Sequence, residues 1–94
     1  AEFENLLPGE QRLLLETLVV LDLRRAELVA IELLGADRSD TTLAVVAAFL
    51  GEHGDTVETR HAIEGVTKRR KVSERLVQEA ERAIARYDAR MEAF

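Results

Sequence analysis

The chain contains no cysteine and no tryptophan among its 94 residues. Without cysteine there are no disulfides, no thiolate nucleophile and no cysteine-ligated zinc, and a reducing cytoplasmic setting is expected. Aromatic residues make up only 4%. The core must therefore be built from Leu, Val, Ile and Ala through many small contacts. Only two serines occur, Ser39 and Ser73. Neither lies in a Gly-x-Ser-x-Gly elbow, and no glycine-rich phosphate loop exists. No bilayer-spanning run is found either. The most apolar region, Leu13 to Leu34, carries Asp22, Arg24, Arg25, Glu27 and Glu32, charges that a membrane helix excludes. No basic segment precedes an apolar one in the manner of a signal peptide.

What is present is a chain of one-domain size, 1–94, that is 47% hydrophobic and carries a net charge of −5. The charge is unevenly spread. Residues 1–59 hold 4 Lys/Arg against 12 Asp/Glu, whereas residues 60–94 hold 9 against 6. The two parts either attract each other, within or between chains, or the basic part meets an anionic partner.

Hydrophobic periodicity and end signals predict an all-α fold, a three- or four-helix antiparallel bundle that is dimeric and ends in a long amphipathic helix. Helices are expected over about 9–34, 41–53, 56–64 and 68–93, with the last two either separate or continuous through Gly65. Pro8 suits a first helical turn, Gly35 a left-handed C′ position, and Ser39 or Asp40 an N-cap. Asp55-x-x-Glu58 has the spacing of a capping box. The unbroken apolar run Leu43 to Leu50 implies a helix buried all round, at the centre of the bundle. A helix of 26 residues spans roughly 39 Å, whereas a 94-residue globule has a radius of gyration of only about 12 Å. Two such helices would overhang a monomer, which favours a bundle shared between chains.

Four features bear on function. First, the opening helix has two apolar stripes where one suffices for a core. Leu14, Leu18, Leu21 and Leu28 form the second, a candidate contact surface. Second, Val77, Ala80, Ile84, Tyr87, Met91 and Phe94 follow the 3-4 spacing of a helix-packing seam. Val77, Ile84, Tyr87 and Met91 join the candidate interaction surface. Third, Lys68-Arg69-Arg70-Lys71 places four cations at an expected helix start, against the macrodipole. With Gly65-Val66-Thr67 as the turn, the stretch Asp55 to Leu76 resembles a helix-turn-helix layout. That resemblance implies phosphate contacts for Lys68 to Lys71 and an approach of Arg69, Arg70, Ser73 and Glu74 to base edges. In the general pattern an apolar residue stands six positions after the turn glycine, where this chain has Lys71.

Fourth, Glu58-x-x-His61 is one carboxylate–histidine unit of the kind that di-iron bundles use twice, beside further Glu ligands. One unit is too few, and no metal or cofactor is expected. The Arg-x-x-Ile-Asp pattern of the helical chorismate mutases is missing. The function expected is a non-catalytic, self-associating protein–protein interaction or assembly module, with no small-molecule substrate and no membrane partner. The alternative is a DNA-binding regulator using segment 68–71, with Lys68, Arg69, Arg70, Lys71 and Ser73 as nucleic-acid contacts.

Overall fold

In the computed structural model, which describes residues 3–36, 38–69 and 71–93, a 3-10 turn at Phe3–Asn5 leads into five α-helices and no strand among those residues. They are α1 (Pro8–Leu21), α2 (Leu23–Gly35), α3 (Asp40–His53), α4 (Val57–Thr67) and α5 (Glu74–Glu92). The fold is all-α. No helix among the described residues is long and apolar enough to cross a membrane.

The single helix expected over 9–34 is two helices, because Asp22 interrupts it. Its backbone is extended (φ −165°, ψ 98°), and its carboxylate accepts from the Arg25 N–H at 3.2 Å. A short carboxylate competes for backbone N–H groups and so favours a cap over a helix interior. The apolar spacing continues unchanged across the break, which conceals it in the sequence. The break also removes the expected overhang. At 1.5 Å per residue α1 is about 21 Å long and α5 about 28 Å, within a body of 34 × 28 × 18 Å and a radius of gyration of 12.2 Å.

Other boundaries also move. Gly35 ends α2 as a helical residue, and no described glycine has a positive φ. Ser39 caps α3 through the Thr42 N–H. Gly65 lies inside α4, so the last two helices are separate. Lys68, Arg69, Lys71 and Val72 belong to the connection between them, and Lys71 takes the left-handed conformation (φ 59°). Arg70 lies outside the described residues. The Ser73 hydroxyl caps α5 through the Leu76 N–H at 3.1 Å, so this helix starts six residues later than expected.

The core gathers on α3, as its apolar run predicted. Leu43, Val46, Ala47, Phe49 and Leu50 are buried, and Leu15, Ala26, Ala30, Leu34, Ile63, Val66, Leu76 and Ala80 close around them. Burial is not all round, however: Ala44, Val45 and Ala48 are only half-buried. Helices α3 and α5 approach most closely at Gly51. A Cβ there would lie 2.8 Å from both the Cα and the carbonyl oxygen of Ala83. Backbone cannot yield as a flexible side chain does. Gly51→Ala should therefore cost about 1–3 kcal/mol. Gly65→Ala, where nothing lies within 4 Å of the new Cβ, should add about 0.5–1 kcal/mol through helix propensity. Urea denaturation of both variants checks the pair, and equal effects would contradict the packing described.

Candidate functional surface

The helices are short, so many backbone donors and acceptors at their ends need partners. Side chains from the next-but-one helix supply them. Glu27, on α2 and only 3% exposed, reaches the start of α4. Its Oε2 accepts from the Asp55 N–H (3.0 Å), the Thr56 N–H (3.1 Å), the Thr56 hydroxyl (2.8 Å) and the Thr59 hydroxyl. Burial pushes the Glu27 carboxyl up, but these bonds outweigh it and hold the group below its ordinary range, Thr59 foremost. The expected Asp55–Glu58 capping box is not what closes this end. Thr56 is the N-cap and makes no side-chain cap of its own.

At the other end of the same pair, Arg69 donates to the carbonyls of Ala36 (3.2 Å) and Leu34, closing the C-terminus of α2. Helices α3 and α5 are tied in the same way. Asp40 accepts from the Ser73 N–H at 3.0 Å, and Arg90 donates to the carbonyls of Gly51 and Gly54. Tyr87 adds a bond from its hydroxyl to the Thr56 carbonyl at 2.9 Å.

These ties change the reading of the basic segment. Lys68 caps the C-terminus of α4, and Arg69 follows it. The cations thus sit at a helix end that the macrodipole favours, not at a start that it opposes. The expected turn Gly65-Val66-Thr67 is helical, and Arg69 is occupied by α2. Lys68, Lys71, Ser73 and Arg75 are exposed.

The α5 seam has the expected period but a different phase. The buried stripe is Leu76, Ala80, Ala83 and Tyr87, while Val77, Ile84 and Met91 flank it half-buried. Phe94 lies outside the described residues. The packing is within the chain. The leucine stripe behaves differently. Leu14 is 44% exposed, Leu21 76% and Leu28 57%, and Leu13, Val20 and Leu23 are exposed beside them. Only Leu18 of the expected four packs against the core. Helix α1 buries just Gln11 and Leu15, so more of its leucines face outward than inward.

Two further arrangements escaped the sequence reading. Glu16, Glu52 and His53 bring three potential ligand atoms within 4.8 Å of one another. Arg12 already pairs with both carboxylates, Arg86 pairs with Glu52, and His53 Nε2 lies 2.9 Å from Glu16. Burial pushes Glu16 up, and the bonds from Arg12 and His53 bring it below its usual value. The guanidinium groups fill the place a dication would take. Glu58 and His61 lie instead on a shallow depression with Ile31, Leu34 and Arg69. An open groove of about 540 Å³ runs along Ala44, Val45 and Ala48 of α3, between Pro8 and Arg12 on one side and Arg75, Leu76 and Glu79 on the other.

No protein-family model, no curated protein and no solved structure matches the chain.

Glu27 yields the sharpest stability prediction. Its folded pKa is depressed, so its contribution is complete above the unfolded value of about 4.3. That contribution disappears as pH falls through the lower folded value. Glu27→Gln should cost about 1.5–3 kcal/mol at neutral pH. Its deficit against wild type should shrink on acidification below about pH 4. Urea denaturation across that range checks it. A deficit that stays constant with pH would contradict the charged cap.

Proposed function

We propose that the chain is a non-catalytic helical module that self-associates through the outward face of α1 and α2. The observation that carries this reading is the exposure of Leu13, Leu14, Val20, Leu21, Leu23 and Leu28 on two consecutive helices. Scattered apolar residues on a surface need no explanation, whereas a concentration of leucines marks a contact site. Burying one such leucine contributes roughly 1.5–3 kcal/mol, so a handful is enough to hold two small chains together. The polar clusters add support, since each of them is spent on helix ends or ion pairs.

Sedimentation equilibrium tests the reading. The wild type should exceed its chain mass of 10.5 kDa at high concentration. A Leu14→Ser/Leu21→Ser/Leu28→Ser variant should sediment at that mass while keeping its helical circular dichroism. A wild type that stays monomeric throughout, or a variant that keeps the larger mass, refutes it.

A second reading has one observation in its favour. Lys68, Lys71, Ser73 and Arg75 are exposed around the α4–α5 connection, a grouping suited to phosphates. It predicts binding to a mixed-sequence DNA duplex that weakens steeply between about 50 and 200 mM salt, as counterion release requires. Lys68→Ala/Lys71→Ala should abolish that binding. Absence of binding at low salt removes this reading.

A further inference from the structure

The break at Asp22 joins two helices that need only one residue to change in order to become one. The Asp22 N–H already donates to the Leu18 carbonyl at 2.7 Å, and the Asp22 carbonyl accepts from the Ala26 N–H at 3.0 Å. The helical hydrogen-bond pattern therefore runs up to the residue and away from it. Only the extended φ and ψ of Asp22 and its cap to Arg25 hold the bend. A straightened helix would run from Pro8 to Gly35. In it Leu14, Leu21 and Leu28 fall at seven-residue intervals, with Leu18 between the first two, the spacing of a helix-pairing seam. The midpoint of that helix lies between Leu21 and Asp22, so two copies crossing antiparallel would meet at the hinge itself.

What holds α1 in place is equally available on another copy. Its anchors to α3 are Gln11 to the Thr42 hydroxyl at 3.0 Å, Arg12 to Glu52, Glu16 to His53, and the buried Leu15. An identical α1 from a second chain satisfies all of them. A short, bent connection between an exchangeable element and its body is the arrangement that invites domain swapping.

We infer that the partner of the exposed leucine face is a second copy of this chain, in a dimer formed by exchange of α1 through straightening at Asp22. In that dimer the partner's α1 takes the place of the chain's own against α3, and Leu14, Leu21 and Leu28 pair across the two-fold axis. The inference rests on the self-association reading and specifies its geometry.

The test uses the absence of native cysteine. A Glu16→Cys/His53→Cys chain is treated with a short bismaleimide, and an Arg60→Cys/Asp88→Cys chain serves as control, because α4 and α5 lie on the same side of the hinge. Native mass is measured beside denaturing electrophoresis. If the 16–53 link joins two chains while the 60–88 link stays within one, the exchange is established. A native dimer whose 16–53 link stays within one chain overturns the exchange and leaves self-association standing. A chain that is monomeric before and after linking overturns both. The hinge is tested separately, without touching the α1–α3 contacts. Asp22→Ala, which removes the cap, should raise the dimer share severalfold, whereas Asp22→Asn, which keeps a capping side chain, should leave it near wild type. Equal dimer shares in the two variants contradict a hinge at Asp22.

Discussion

The unmet hydrogen-bonding groups at the ends of short helices set the terms of this fold. Each α-helix leaves N–H groups at its start and carbonyls at its finish without partners, and the five helices of this chain have many such ends. Glu27 and Arg69 close opposite ends of the α2–α4 pair, and Asp40 and Arg90 do the same for α3 and α5. Each carboxylate sits at helix starts and each guanidinium at a helix finish, where the macrodipole favours it. Paired at both ends, next-but-one helices must lie side by side in the same sense. The helix between them then runs the other way. Apolar burial drives the collapse, and these ties select which helices lie together.

They also account for much of the charge asymmetry. The basic C-terminal third is largely turned inward, toward backbone carbonyls and acids elsewhere in the chain. Arg86 pairs with Glu52 and Arg60 with Asp88, whose carboxyl the guanidinium holds below its usual range. Exposed pairs of this kind contribute little stability individually. The carbonyl contacts of Arg69 and Arg90 do more, because they satisfy groups that otherwise have no partner.

The helical class and the central place of α3 were legible, since both follow from apolar spacing and an uninterrupted apolar run. The break at Asp22 was not. An aspartate in a continuing periodic pattern reads the same whether it faces water or caps a new helix. Glu27 was hidden for a related reason: a single carboxylate within an amphipathic stretch looks like a solvated charge, and its partners lie 28 or more residues away. Arg69 was obscured by its three basic neighbours. The α5 stripe was found in period but displaced in phase, because alanines weigh little in a hydrophobic pattern. Close approach to Gly51 is what selects Ala83 for the interface. The groove on α3 left no signal, since half-buried and fully buried alanines are alike in sequence.

The leucine surplus of α1 and α2 is the feature that neither the core nor the end ties absorb. It was legible in sequence as a second stripe, and Leu14, Leu21 and Leu28 do face outward. The account attributes that surface to contact between copies. Backbone amide NMR spectra recorded through a dilution series test this most directly, because they report association and its location together. The account predicts concentration-dependent shifts concentrated in residues 13–28 of α1 and α2. A spectrum unchanged by dilution, or shifts centred on residues 68–73 instead, would contradict it.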